Sequence, residues 1–432
     1  MTTRTCLFRS VSAAALLAVA AGVAASAHGI LLGVGTHFIN YPSAQSGLLG
    51  LARTVGADSV RADTGWKFVE TTKGDYRIPP AWDQFVDNAR RRGIEPLLIL
   101  DYGNRFYDGG KLPRSPAAIS GFVHFATFVV KHFAGSVRYY EVWNEWNTGT
   151  GGYYPGGSAA DYARLFDATY AAIKRIDPNT VVLAAAGYGD WYEQIARLGV
   201  ASRADGVAIH PYVPKEPDYQ PSLGSNGPER SVQRVIDVER TMQRFTGGRE
   251  IPLYITEIGW PTSTGEKGFP EDDVAAMAER SLLMFAALPY VRGVWWYDLI
   301  DDGPDASIPE ARFGLFTQHF AIKPAGRVVQ SIAPLLKNNS LTWSSMSNLA
   351  KGLVVLDLGT AAQPSLVAWA VRPLTPGGEG AGAPFAVSCD PALRIVSASR
   401  EIQARNQPIT SVPTIFRYNA GQCARERLSG RR

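Results

Sequence analysis

Short apolar runs alternate with amphipathic stretches along most of the chain. The runs are ILLGVGT from Ile30, DSVRAD from Asp58, EPLLILDY from Glu95 and VRYYEVWNE from Val137. They continue as TVVLAAAG from Thr180, DGVAIHPY from Asp205, IPLYITEIGW from Ile251 and RGVWWYDL from Arg292. Most are near-continuous apolar segments, the pattern of parallel strands buried on both faces. Between them, PPAWDQFVDNARRRG ends at Gly93, and SPAAISGFVHFATFVVKHFAG opens on Ser-Pro and closes on Gly135, as helices begin and end. SAADYARLFDATYAAIKRIDP, RSVQRVIDVERTMQRFTGG, EDDVAAMAERSLLMFAALP and KPAGRVVQSIAPLLKN follow the same scheme. This βα alternation predicts an α/β fold, a (β/α)₈ TIM barrel over residues 28–340. A doubly wound open sheet is the competitor, but no glycine-rich phosphate loop follows the first strand.

The pattern changes beyond Leu341. GLVVLDL, PSLVAWAV, FAVSC, LRIVSAS and PTIFRYN are short strands separated by Pro, Gly and Asn, with no helical period between them. They predict a small C-terminal antiparallel β-domain over residues 341–432. At the other end, Arg4 and Arg9 precede the apolar run VSAAALLAVAAGVAA, and Ala25–Ala27 offers a small-residue cleavage site. Residues 1–27 therefore read as a signal peptide, and the mature chain as secreted or periplasmic, with no membrane association after cleavage. Cleavage removes Cys6 and leaves Cys389 and Cys423, a pair that either forms a disulfide or stays as two buried thiols.

Composition adds little. The chain of 432 residues is 46% hydrophobic and 19% charged, an ordinary globular balance. Its formal net charge of +4 falls to about +2 without Arg4 and Arg9, and no basic stripe remains for nucleic acid. No cysteine–histidine cluster has metal-ligand spacing. The acidic loop Asp301, Asp302, Asp305 has calcium-like spacing but reads as a solvated loop, so no metal and no cofactor is expected.

Chemistry in a barrel of this kind sits where the strands end. Glu145, in YEVWNEWN, stands at the end of the fourth strand and Glu257, in YITEIGW, at the end of the seventh. A carboxylate at the tip of an apolar strand is costly unless it is paired or has work to do. Two such groups facing each other across a barrel mouth are the apparatus for cleaving a glycosidic bond.

WNE on the fourth strand together with TE.GW on the seventh resembles the retaining glycoside hydrolases of clan A. Within the clan, YEVWNEWN and the trailing β-domain are most similar to family 39 and related endoglycosidases encoded with biofilm polysaccharide genes. Trp146 stands where family 39 often carries Pro. The resemblance implies a (β/α)₈ hydrolase with Glu145 as acid/base and Glu257 as nucleophile. It also implies that Arg61 lies close to the nucleophile and that Asn144 binds the sugar 2-hydroxyl. His210, Tyr212 and Trp296 match clan positions near the nucleophile and the reacting sugar. For the acid to be protonated near neutral pH, its site should be apolar or near another negative charge.

Other residues have two readings each. Glu141 shares strand parity with Glu145 and reads as a buried supporting carboxylate. Asp63, Asp101 and Asp298 also end strands and bind sugar hydroxyls or support the structure. Aromatic residues crowd the strand ends, from Trp66 and Tyr102 through Trp146, Tyr188 and Trp191 to Trp260 and Tyr297. Trp66 and Trp260 are candidates to receive the apolar faces of sugars, whereas Trp295, of opposite parity to Trp296, suits the core. The expected activity is a secreted, monomeric retaining β-glycosidase acting within a polysaccharide. An exo-glycosidase on short oligosaccharides and a non-catalytic carbohydrate-binding protein are the alternatives.

Overall fold

The computed structural model describes residues 29–38, 45–213, 227–338, 341–344, 347, 353–360, 363–370, 392–395, 401–403 and 413–417. Residues 1–27, expected as a signal peptide, the segment FAVSC, expected as a strand, and the pair Cys389 and Cys423 lie outside the described residues.

Eight parallel strands close into a barrel in chain order. They are β1 (Leu31–Gly35), β2 (Ser59–Gly65), β3 (Glu95–Asp101), β4 (Tyr139–Val142), β5 (Val181–Ala184), β6 (Gly206–Ala208), β7 (Leu253–Ile258) and β8 (Val291–Trp296). β8 pairs back onto β1, with Leu31 opposite Gly293. The longer helices between and after them are Pro80–Arg91, Pro116–His132, Ala159–Ile176, Pro228–Gln243, Glu271–Ala286 and Pro324–Asn338, where the amphipathic pattern places them. Ser115 and Ser158 start two of these helices by accepting the backbone N–H of Ala118 and Asp161, each at 3.1 Å. Helices Gln45–Thr54, Trp191–Arg197 and Val200–Arg203 are absent from the sequence pattern. Glycines within the first and the shortness of the others weaken the periodic signal.

The barrel interior is layered. Leu97, Ile99, Leu183, Tyr254 and Trp295 form a separate apolar cluster that fills its lower part. Trp295 is fully buried and donates its indole N–H to Ser59 Oγ at 2.9 Å. Its ring occupies the space a side chain at Gly33 would need, so only glycine fits there on β1. The core expectation for Trp295 therefore holds.

Beyond the barrel, strands β9 (Leu341–Trp343), β10 (Leu353–Thr360), β11 (Gln363–Ala370), β12 (Ala392–Ile395), β13 (Glu401–Gln403) and β14 (Thr414–Arg417) form one antiparallel sheet. Its order is β13-β12-β14-β11-β10-β9. The sheet touches the barrel's helical layer through Trp369, whose indole N–H donates to Glu229 at 3.3 Å. Arg280 binds the other oxygen of Glu229 at 3.1 Å.

Trp295→Ala should remove the filling of the lower barrel and cost about 3–5 kcal/mol. Thermal unfolding should show a clearly lowered Tm, and an unchanged Tm would contradict this packing.

Candidate active site

Strand ends bring the polar residues together above the apolar layer. Arg61, on β2, is 5% exposed, and its guanidinium forks among three partners. Its Nε donates to Glu141 at 2.9 Å, Nη1 to Glu257 at 2.6 Å and Nη2 to Asn144 at 3.0 Å. Glu141, on β4, is fully buried, and its other oxygen has no hydrogen-bond partner. Burial pushes its carboxyl up despite the Arg61 charge beside it. Glu141 is thus the supporting carboxylate expected, well behind the cleft.

β4 ends at Val142, so Glu145 lies three residues past the strand. Trp143 and Glu145 both adopt left-handed backbone, with φ of 70° and 46°. Non-glycine residues there cost about 1–2 kcal/mol each, and the surrounding packing holds them. Trp143 is buried among Tyr102, Trp146 and Tyr153. Glu257 reaches the mouth by a different device. Ile255 pairs with Val294 and Ile258 with Trp296, so three residue steps on β7 face two on β8. This bulge lets neighbouring Thr256 and Glu257 both serve the barrel mouth, against strict alternation.

His210 lies between the two carboxylates. Its Nδ1 is 2.8 Å from Glu145 and 3.6 Å from Glu257, and Nε2 is 2.9 Å from the Thr256 hydroxyl. One ligand-type atom from each of Glu145, His210 and Glu257 falls within 4.8 Å of the others. Tyr212 donates to the second oxygen of Glu257 at 3.2 Å. Thr150 donates to Glu145 at 2.6 Å, and Asn144 donates to the Tyr102 hydroxyl at 3.3 Å.

The electrostatics differ from the expectation of a raised acid. Burial acts to raise the Glu145 carboxyl, but the hydrogen bond and charge of His210, helped by Thr150, hold it down at about 2. Burial acts to lower His210, yet the Glu257 charge and the Glu145 contact leave it raised. The contact thus favours a proton on the imidazole over one on the Glu145 carboxyl. Nearby, Asp101 is completely buried and pushed well up, first by burial and then by Asp63 beside it. A protonated Asp101 can then donate to Asp63, which borders the cleft.

The cleft has a volume of about 1090 Å³. Arg61, Asn144, Glu145, Tyr212, Glu257 and Trp260 all line it. His210 sits just behind, 2% exposed. Two expected sugar contacts are elsewhere. Trp66 is fully buried in a turn of helix, Trp66–Val69, stacked on Tyr107 at 4.8 Å and donating to Glu70 at 2.7 Å. Trp296 is also fully buried, packed on Trp260 at 5.8 Å with its indole N–H on the Phe313 carbonyl. Its parity directs it outward into the core between strands and helices, and Tyr297 borders the cleft instead. Trp146 and Trp191 are core residues as well. The large apolar indoles went inside, while Tyr102, Tyr188, Tyr212 and Tyr297, with a polar edge, line the cleft. Thr150 and Phe313 have no sequence signal beyond lying in loops. Asp301 is buried against Lys323 at 3.1 Å and Arg312 at 3.3 Å, which corrects the solvated-loop expectation for it, whereas Asp305 is exposed and accepts from Ser307 within its own turn.

No family model matches the sequence, and no curated protein matches it. Solved structures share its architecture. A family 39 glycoside hydrolase from the gut symbiont Bacteroides cellulosilyticus WH2 is 22% identical, with a TM-score of 0.73 over 90% of this chain and 81% of that one. A monomeric β-xylosidase from Caulobacter crescentus CB15 is 18% identical, with a TM-score of 0.61 over 90% of this chain and 97% of the other. The GH39 enzyme from Xanthomonas axonopodis pv. citri is 19% identical, with a TM-score of 0.58 over 84% and 76% of the two chains. At these identities the likeness is one of fold, the (β/α)₈ barrel.

Arg61→Met should strand Glu141 without a cation and destabilise the fold by about 3–5 kcal/mol. Adding Glu141→Gln should recover much of that loss in denaturant unfolding. Equal destabilisation in the single and double variants would show that the Arg61–Glu141 contact carries no such coupling.

Proposed function

We propose that this chain is a secreted retaining β-glycosidase that cleaves a polysaccharide internally by double displacement. Glu145 is its acid/base and Glu257 its nucleophile. The observation that carries the reading is the carboxylate pair across the barrel mouth, with oxygens within 4.8 Å. That is close to the roughly 5–5.5 Å of retaining enzymes and short of the roughly 6.5–9.5 Å that leaves room for a water. The fold shared with proteins named as glycoside hydrolases supports the same class. The apolar run before His28 supports secretion. A cleft of about 1090 Å³ exceeds the usual roughly 300–1,000 Å³ of small-molecule sites and supports a chain-like substrate.

In the first step a Glu257 oxygen attacks the anomeric carbon from the α face, and the bond to the leaving oxygen breaks. The proton held by the His210–Glu145 pair passes through the Glu145 carboxyl to that oxygen. Arg61 and Tyr212 hold Glu257 aimed until it attacks. Asn144, fixed by Arg61 and Tyr102, presents its amide to the sugar 2-hydroxyl. Once Glu257 is an ester its negative charge is gone, and the His210–Glu145 pair loses the influence that raised its proton affinity. Glu145 then takes a proton from water, which attacks the anomeric carbon and releases Glu257 with the β-configuration restored. Asp63 offers an acceptor for a hydroxyl, while Trp260, 1% exposed, backs the cleft wall from the core.

The proton balance sets the pH profile. The first step needs one proton on the His210–Glu145 pair, so kcat/KM should fall as pH rises through the raised value of His210, above its ordinary 6.5. In His210→Asn, burial acts on Glu145 without the opposing cation and moves its carboxyl upward from about 2. The alkaline limb should then follow that carboxyl alone. An identical limb in both proteins would remove His210 from the proton path.

Azide rescue distinguishes the two glutamates. Glu145→Ala should lose about 10²–10⁴-fold on polysaccharide but still cleave an activated aryl β-glycoside in its first step. Added azide should restore turnover and give a β-glycosyl azide. Glu257→Ala should be inactive on every substrate, and any azide product should be α. A swapped pattern would exchange the roles, and full activity in either variant would remove the pair from the mechanism. Sizing the products from a polysaccharide panel separates internal cleavage, which gives oligomers, from release of single sugars.

A further inference from the structure

A second group of ligand-type atoms lies at the seam of the barrel. His37 follows β1, and Asp298 and Asp302 follow β8, its neighbour. His37 Nδ1 is 3.0 Å from Asp302 Oδ2 and 3.2 Å from Asp298 Oδ2. All three residues offer atoms within 4.8 Å of one another.

This is more than an ordinary ion pair. Nδ1 carries at most one hydrogen, and its hydrogen-bond contact is with Asp302. Asp298 Oδ2, although close, has no hydrogen-bond partner. Asp298 is 1% exposed, so water does not serve that oxygen from outside. Its Oδ1 accepts the backbone N–H of Leu299, which fixes the carboxylate with Oδ2 aimed at His37. Asp302 Oδ1 is likewise buried and without a partner. Asp63 adds a further negative charge facing His37. Two carboxylates and an imidazole thus converge on one point with too few hydrogens between them.

We propose that His37, Asp298 and Asp302 bind a divalent metal ion of zinc or manganese type, through Nδ1 and one oxygen of each carboxylate. Donors about 2.1 Å from one ion lie about 3.0 Å apart at a right angle and about 3.4 Å apart at the tetrahedral angle. The observed 3.0 Å and 3.2 Å fall in that range. Calcium takes oxygen ligands at about 2.4 Å, which spreads donors to about 3.4 Å even at a right angle, and an imidazole ligand suits it poorly. His37 borders the cleft, so the ion has a path from solvent and water can complete its coordination. Bound there, it ties the end of β1 to the end of β8, where the barrel closes. The site shares no ligand with the Glu145–Glu257 pair and stands whether or not the chain cleaves glycosides.

A proton shared between the two aspartates is the rival way to relieve the same charge. The full-length mature protein, stripped with a chelator, is titrated with Zn²⁺ and with Mn²⁺ by calorimetry and thermal unfolding at neutral pH. At least one of the ions should saturate at one equivalent with a rise in Tm of about 3 °C or more at a hundredfold excess over Kd. Binding should also release protons to the buffer. His37→Ala and Asp302→Asn should abolish binding, whereas Glu257→Gln should keep it. Asp302 is half-buried and makes the milder change, so it carries the test if His37→Ala fails to fold. No binding by either ion overturns the proposal in favour of the shared proton. Binding that survives Asp302→Asn but is lost in Glu257→Gln places the ion at Glu145, His210 and Glu257 and also overturns it.

Discussion

The guanidinium of Arg61 is the constraint on which the barrel mouth is built. It is buried, so its charge must be met inside the protein, and three partners from β4, the turn after it and β7 converge to do so. Glu141 supplies a second charge from below, which leaves Nη1 free to hold Glu257 and Nη2 to hold Asn144. A planar fork makes these bonds at fixed angles, as a lysine would not. The positions of the proposed nucleophile and of the residue proposed for the 2-hydroxyl are therefore set by one rigid group.

Charge is distributed around that group in a way that separates the two glutamates. Glu257 faces Arg61 and Tyr212. Glu145 faces His210 and Thr150. The Glu257 charge and the Glu145 contact raise the proton affinity of the imidazole, and the imidazole lowers that of the Glu145 carboxyl. In the proposed reaction Glu257 alternates between anion and ester, so the same contact that stabilises the proton in one half of the cycle disappears in the other. Acid and base behaviour of one carboxyl then need no movement of the backbone.

Much of this was legible in the sequence, for physical reasons that can be named. Parallel strands buried on both faces leave apolar runs, and helices that cover them leave a period of 3.6, so the barrel could be read from Ile30 to Asn338. Glu145 and Glu257 stood out because carboxylates are costly at the tips of such runs. Three things were not legible. Strand alternation does not report where the chain leaves regular geometry, at left-handed Trp143 and Glu145 and at the bulge before Ile258. The indoles of Trp66 and Trp260 were read as sugar platforms and Trp296 as lying near the reacting sugar, but burial of their large apolar area won. The low carboxyl of Glu145 depends on His210, 65 positions away in sequence, and no local pattern reports that contact.

Glu145 and Glu257 are proposed to act by double displacement on a β-glycoside. The most direct measurement follows the anomeric proton signals by NMR during the first minutes of cleavage, before mutarotation mixes the products. Under double displacement the β-anomer of the new reducing end should appear first, and the α-anomer should grow in only at the rate of mutarotation. Initial appearance of the α-anomer would mean a single displacement by water and would contradict the mechanism.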